Sequence, residues 1–173
     1  MEETKNISVK SVAIKYGLIS GLVGVIFFLV IDFAGLSGNQ SVSWIGILFT
    51  AVIMYFAQKE FIKEGDGYMN YGEGLGLGTL MSLVSAVISS IFTYIYVSFI
   101  NPQFIENIRQ AQVIAMEEEG MSDAQIEQAM KISENFTGPT GLLIFGLIGG
   151  VFVGFLISLI ISAITKKSRP EFE

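Results

Sequence analysis

Four long apolar segments constrain the fold of this chain more than any other feature. They cover about residues 16–36, 42–61, 75–100 and 140–164. An α-helix needs about 20 predominantly apolar residues to cross a bilayer, whereas the apolar core of a signal peptide is only about 7–15 residues long. The first segment is therefore expected to stay in the mature chain. The pattern predicts an all-α membrane protein with four transmembrane helices, forming a single membrane domain over residues 1–173.

The composition excludes several kinds of chemistry. The chain contains no cysteine and no histidine, so it cannot form a disulfide, a thiolate nucleophile, a Cys/His zinc site or an imidazole base. Its net charge of −6 argues against a nucleic-acid partner, which requires a basic surface. We therefore expect no enzyme activity, no catalytic residue, no cofactor and no metal, with the lipid bilayer as the surrounding partner.

The distribution of cationic residues predicts the orientation in the membrane. Cytoplasmic flanks of membrane helices carry an excess of Lys and Arg. Two such residues, Arg109 and Lys131, lie in the connection between the third and fourth segments. Eight lie in the two chain ends and the second connection, namely Lys5, Lys10, Lys15, Lys59, Lys63, Lys166, Lys167 and Arg169. Both termini are therefore predicted to be cytoplasmic.

Residues 101–138 differ in composition from the rest of the chain and are rich in carboxylates. Their pattern predicts an extramembrane helical hairpin, with a first helix over about 102–119 that ends at Gly120. A capping box formed by Ser122 and Gln125 opens the second helix, which continues to about Phe136. The apolar stripes of the two helices either face each other or lie on the outer leaflet, and the acidic faces point away from the membrane.

Glycines recur at the four-residue spacing that allows membrane helices to approach closely. The predicted helix-packing residues are Gly17 and Gly21 in the first segment and Gly146, Gly150 and Gly154 in the last. We favour packing within the chain over a subunit interface, since four helices can cover one another. A second set, Gly74, Gly76 and Gly78, opens the third segment without the spacing of a dinucleotide-binding loop. It predicts either close backbone approach or a locally irregular helix start, and we treat these three positions as possible functional residues.

Asp32 is the only acidic residue inside the apolar part of a predicted span, since the certain apolar part of the second segment ends at Ala57. A carboxylate within a membrane is a candidate proton or cation site. However, Asp32 falls roughly 24 Å along the first helix, near the outer interface, where it can reach water. No second charged residue lies at mid-depth to pair with it, so an interfacial role is favoured over a functional one.

The chain resembles the uncharacterised bacterial family "domain of unknown function 4199" (DUF4199) over nearly its full length. The resemblance rests on the stretch FIKEGDGYMNYGEG at 61–74, the acidic stretch GMSDAQIEQAM at 120–130, and the glycine-rich first and last segments. It implies four helices in the inner (cytoplasmic) membrane of a double-membraned bacterium, and it implies no catalytic or binding residue.

Two functions remain open from the sequence. The first is a non-enzymatic accessory or scaffolding subunit, whose periplasmic acidic hairpin docks on another membrane or periplasmic protein or on a second copy. The alternative is a small transporter or channel component that works as a homo-oligomer. Its motivation is the glycine-rich start of the third segment and the hydroxyl residues that follow, which are Ser82, Ser85, Ser89, Ser90 and Thr93.

Overall fold

The computed structural model describes residues 7–37 and 40–169, and these residues form an all-helical fold. In chain order the helices are α1 (Val9–Phe33), α2 (Gln40–Glu64), α3 (Tyr71–Ile95), a π-helical turn (Tyr96–Ile100) that continues α3, α4 (Gln103–Glu118), α5 (Asp123–Thr137) and α6 (Pro139–Thr165). Within these residues four helices are long and apolar enough to cross a membrane: α1, α2, α3 with its π-helical turn, and α6. The four predicted apolar helices are thus confirmed.

The outward faces of these four helices carry large apolar side chains. Leu22, Leu48 and Ile164 are each at least 60% exposed, and similar residues continue along every outward face. A surface of this extent in water would be strongly unfavourable. In hydrocarbon it carries no such penalty, because the apolar side chains are not in contact with water. The helical backbone also satisfies its own hydrogen bonds there.

α1 and α3 begin a turn or more before the predicted apolar segments, because polar caps stabilise their first turns. The Ser8 hydroxyl accepts a hydrogen bond from the Ser11 amide (3.1 Å), so α1 begins at Val9. Asn70 and Glu73 form a reciprocal capping box in which each side chain accepts from the other residue's amide, at 2.8 and 2.9 Å. The glycine-rich start of α3 is consequently regular helix, so of the two predicted alternatives the structure shows close approach of helices, at Gly74 and Gly78, and not an irregular start.

α3 is the central helix, and α6 packs along one side of it in antiparallel orientation. A glycine meets a small residue at five successive positions of this α3–α6 seam, which pairs Gly74 with Ser162, Gly78 with Ser158, Ser82 with Gly154, Ala86 with Gly150 and Ser90 with Gly146. Because glycine has no Cβ, the two backbones approach closely along the whole length of the seam.

α1 packs on the other side of α3 in parallel orientation. A Cβ added to Gly17 would lie 2.6 Å from the Cβ of Val84, and one added to Gly21 would lie 3.0 Å from the Cβ of Ile88. Glycines on α1 therefore accept branched side chains of α3, whereas the α3–α6 seam is built from small residues on both sides.

A buried amide joins α2 to both α3 and α6. Gln58 is fully buried, and its Nε2 donates to the Gly74 carbonyl and to the Ser162 hydroxyl, each at 3.0 Å. The Thr165 hydroxyl donates to Gln58 Oε1. Every polar group in a lipid-embedded core needs a partner, and this network supplies one for both ends of the amide.

The first and last described residues of the chain and the α2–α3 connection lie at one end of the bundle. We call this end, formed by residues 7–16, 59–71 and 165–169, the lysine-rich end. Lys15 forms an ion pair with Glu60 at 2.7 Å, and Arg169 pairs with Asp66. Met69 and Lys167 exchange two backbone hydrogen bonds at 3.0 and 2.8 Å. The described members of the larger cationic group thus share one end, while Lys5 lies outside the described residues.

α4 and α5 contact each other near the opposite end of the bundle. Arg109 pairs with Glu134 at 2.5 Å, and the Ser133 hydroxyl donates to Gln112 at 3.0 Å. Gly120 has a φ of +78°, in the region that favours glycine, as its predicted role at the end of a helix requires. Whether this pair lies outside the bilayer stays a prediction.

Candidate functional site

A cavity of about 500 Å³ lies between α1, α2, α3 and α6 and extends to α4. It occupies the half of the bundle that is remote from the lysine-rich end. Its wall is mostly apolar, and no acidic or basic side chain of the described residues lines it. Seven hydroxyl groups do, namely those of Ser20, Thr50, Ser82, Ser85, Ser89, Ser90 and Thr93. The cavity has the size and the mixture of apolar surface and few polar groups that are typical of small-molecule sites.

The cavity exists because α2 packs into the core at one half only. Met54, Ala57 and Gln58 in its second half are fully buried, whereas Trp44 and Leu48 in its first half are 66% and 64% exposed. Glycines of α1, α2 and α6 also line the space, where side chains would otherwise fill it: Gly24, Gly46, Gly146, Gly150 and Gly154.

The hydroxyl groups of the cavity fall into two classes. Ser82 donates to the Gly78 carbonyl at 2.9 Å, Thr50 donates to the Gly46 carbonyl at 3.0 Å, and Ser85 donates to Ser20 at 3.3 Å. Within residues 7–37 and 40–169, the hydroxyls of Ser89, Ser90 and Thr93 form no hydrogen bond with the protein. These three groups lie together on the last turns of α3, and they can form hydrogen bonds with a molecule in the cavity.

Asp32 lies at the end of the bundle near α4 and accepts three hydrogen bonds. The Tyr96 hydroxyl donates to Oδ2 at 2.6 Å, the Asn101 amide donates to the same oxygen at 3.0 Å, and Ser37 donates to Oδ1 at 3.1 Å. The carboxyl group therefore connects the end of α1 to the π-helical turn and to Asn101, two residues before α4. The partners are neutral side chains, so the arrangement is that of a structural tether.

The π-helical turn orients the aromatic partner of Asp32. The backbone N–H of Asn101 donates to the carbonyl of Tyr96, five residues earlier, at 2.8 Å. The turn is therefore wider than a turn of α-helix. Tyr96 and Phe104 are 3% and 6% exposed, and Phe28 contacts both rings at centroid distances of 5.3 and 5.1 Å. This cluster holds the start of α4 against the bundle, where Phe104 and Ile108 of α4 line the cavity.

The structure distributes the predicted glycine positions over two sides of α3. Gly17 and Gly21 contact α3 from α1, whereas Gly146, Gly150 and Gly154 contact it from α6 and also line the cavity. Gly74 and Gly78 contact serines of α6, but a Cβ added to Gly76 would have no neighbour within 4 Å. None of the α3 glycines 74, 76 and 78 lines the cavity. Gly74 and Gly78 belong to the packing surface between α3 and α6, whereas Gly76 has no close neighbour among the described residues.

No metal site is evident in the described part of the chain, where no group of three or more carboxylates lies close enough together to hold an ion. Glu117, Glu118, Glu119 and Asp123 are exposed. Their positions at the end of α4 and the start of α5 are those of a solvated acidic surface.

Several polar residues that join helices could not be identified from the sequence. Gln58 is the amide that joins three helices, and its occurrence within an apolar segment was the available signal. Tyr96 and Asn101 are more than 60 residues from Asp32 in the chain, and no spacing rule connects them. The serines at 158 and 162 have a visible four-residue spacing, but only the contact with α3 reveals their role.

In a comparison with known proteins, a family model described as a protein of unknown function (DUF4199) matches residues 15–167 of the chain. This confirms the resemblance deduced from the motifs. No curated protein and no solved structure matches the chain.

Proposed function

This chain belongs to the DUF4199 family of proteins of unknown function, and we propose that it is a non-enzymatic accessory or scaffolding subunit of the bacterial inner membrane. In this proposal both termini are cytoplasmic, and α4 and α5 form a periplasmic hairpin that docks on a partner protein. The observation that carries the proposal is the unbalanced charge on α4 and α5.

The charge imbalance concerns the exposed surface of the α4–α5 pair. Residues 101–138 contain seven carboxylates and two cations, and both cations are already paired, Arg109 with Glu134 and Lys131 with Glu127. Five exposed carboxylates form no ion pair among the described residues, and these are Glu106, Glu117, Glu118, Glu119 and Asp123. Complementary charge accelerates encounter and selects partners, so this surface suits a basic patch on another protein. Self-association through the same surface is disfavoured by like-charge repulsion.

The proposed orientation predicts which cysteines a membrane-impermeant reagent can modify. The chain has no cysteine, so single-cysteine variants are free of background labelling. In intact cells with a permeabilised outer membrane, Glu118→Cys is expected to react with an impermeant maleimide, and Lys167→Cys only after lysis. Both side chains lie at exposed positions, which makes them a matched pair. The reverse pattern would contradict the orientation and remove the periplasmic docking surface.

The docking role predicts a partner that depends on the acidic surface. After mild crosslinking and purification in a gentle detergent, we expect the chain to carry a second protein. Replacing Glu117, Glu118 and Glu119 together by Lys should reduce the recovery of that protein about tenfold or more, because like charges brought together across an interface cost several kcal/mol. Glu64→Lys, which alters an exposed carboxylate at the lysine-rich end, is the control and should leave recovery unchanged. A chain that always isolates alone argues against the accessory role.

A second candidate function is a transport component that works as a homo-oligomer, and the hydroxyl-lined cavity is the observation that favours it. The absence of charged groups from the cavity wall suits a neutral solute better than an ion. Reconstitution into vesicles followed by flux measurements with small neutral solutes tests this role. If wild-type vesicles are no more permeable than vesicles without protein, the transport function is excluded for those solutes.

A further inference from the structure

The cavity between α1, α2, α3 and α6 is bordered by a hydroxyl group that has no hydrogen-bond partner within the described residues. Ser90 is 6% exposed and lines the cavity, and its hydroxyl has no hydrogen-bond partner in the described chain. A serine in a helix commonly donates to the carbonyl four residues earlier, as Ser82 does. Ser90 does not, and a Cβ added to Gly146 of α6 would lie 3.3 Å from its oxygen. The hydroxyl thus lies at the α3–α6 seam where that seam borders the cavity.

Two further hydroxyls extend this polar patch. Ser89 and Thr93 also line the cavity without a protein hydrogen bond, and Ser89 lies close to Gly24 of α1, at 3.2 Å from a Cβ added there. An unsatisfied hydroxyl in a low-dielectric interior is unfavourable, and native structures normally supply a partner. Three such groups within two turns of one helix indicate that the partner is a molecule other than the chain itself.

The rest of the wall limits the chemistry of that molecule. Phe28, Ile47, Leu142 and Val153 contribute apolar surface, and none of the lining residues in the described part of the chain is ionisable. A charged ligand would lose its hydration without gaining a counterion, which is strongly unfavourable within a membrane. A purely apolar chain would leave the three hydroxyls unsatisfied. The site therefore favours an apolar chain that carries an uncharged hydrogen-bonding group.

We propose that this cavity binds an uncharged single-chain amphiphile from the bilayer, with its ester or hydroxyl group against Ser89, Ser90 and Thr93. The chain of the amphiphile occupies the apolar remainder of the space. α4 covers the cavity through Phe104 and Ile108, and the Asp32 tether holds the start of α4 in that position. The proposal does not depend on a docking partner or on transport, since it concerns only what fills the bundle.

The test uses the full-length protein in phosphatidylcholine nanodiscs that contain a monoacylglycerol with a diazirine in its acyl chain. After irradiation, we expect crosslinks on the cavity-lining stretches of α3 and α6, around residues 82–93 and 142–154, and their loss with excess unlabelled monoacylglycerol. Crosslinks confined to outward residues such as Leu22 and Leu48, unaffected by competitor, would overturn the proposal. Equal competition by an ionised fatty acid would overturn the requirement for an uncharged group.

Variants of single hydroxyls refine the test. Thr93→Val removes a cavity hydroxyl without changing the shape of the side chain, and Ser90→Ala removes the hydroxyl of the buried serine that lacks a hydrogen-bond partner in the described part of the chain. Each should weaken competition by unlabelled monoacylglycerol roughly two- to tenfold, as expected for the loss of one hydrogen bond. Thr79→Val is the matched control, because the Thr79 hydroxyl donates to the Leu75 carbonyl at 2.7 Å and does not line the cavity. Should a variant fail to fold, the wild-type crosslink map and its competition decide the question alone.

Discussion

Replacing Gly154 by leucine is expected to destabilise the folded bundle by about 3 kcal/mol, at the upper end of the usual cost of overpacking a core. Gly154 is buried in the α3–α6 seam, and even a Cβ at this position would overlap the side chain of Ser82. The overlap involves the first side-chain atoms on both helices, so a change of rotamer cannot relieve it. α6 would have to move away from α3 along several turns, and contacts on either side of Gly154 would be lost.

The effect can be measured by unfolding in mixed micelles of mild detergent and SDS, with Gly149→Leu as the matched control. Gly149 lies on the same helix, and a Cβ added there would have no neighbour within 4 Å. Leucine at this position should be neutral or stabilising by up to ~1 kcal/mol, because it is a better helix former than glycine. Equal stability of the Gly154 and Gly149 variants would contradict the close approach of α3 and α6.

Replacing Asp32 by alanine is expected to cost about 2 kcal/mol, because the hydrogen-bond donors that remain are removed from water. Tyr96 is 3% exposed, and its hydroxyl donates to Asp32 at 2.6 Å. Asn101 would lose the same acceptor, and with it the contact that fixes the chain before α4. We expect the loss to appear both as lower resistance to SDS and as faster amide hydrogen exchange at the start of α4.

Two variants separate the tether from a role in proton transfer. Asp32→Asn retains an oxygen that can accept from Tyr96 and should lose less than half as much stability as Asp32→Ala. Tyr96→Phe removes the donor itself, so its effect and that of Asp32→Ala should be strongly non-additive. Additive effects would show that Asp32 and Tyr96 act independently. An Asp32→Asn variant as unstable as Asp32→Ala would point to a requirement for the carboxyl group itself.

The polar residues inside apolar segments show how far sequence reasoning reaches. Asp32 was visible as an intramembrane carboxyl, but its assignment to a water-accessible interface overlooked the three side chains that bind it. The stripe of hydroxyls on α3 was visible too, although its spacing could not show which members bind their own helix. Ser82 does so and Ser90 does not, and that difference depends on the neighbouring backbone of α6.

The glycines illustrate the same limit. Four-residue spacing predicts close approach of helices, and the α3–α6 seam has that spacing on both helices. The sequence could not indicate that Gly74 and Gly78 meet serines while Gly76 meets nothing, because a single helix leaves its neighbour unspecified. The glycine spacing also does not distinguish a regular helix start from an irregular one. The hydrogen bonds between Asn70 and Glu73 show that the start of α3 is regular.

The sequence by itself determined the class of fold, because hydrocarbon imposes a minimum helix length and requires satisfied backbone hydrogen bonds, and four segments meet both conditions. It also determined the family and the acidic character of residues 101–138. Only the tertiary structure decided which helices pack together, where α2 leaves a cavity, and which hydroxyls lack a partner. These properties depend on contacts between residues far apart in the chain, which helical periodicity and composition do not encode.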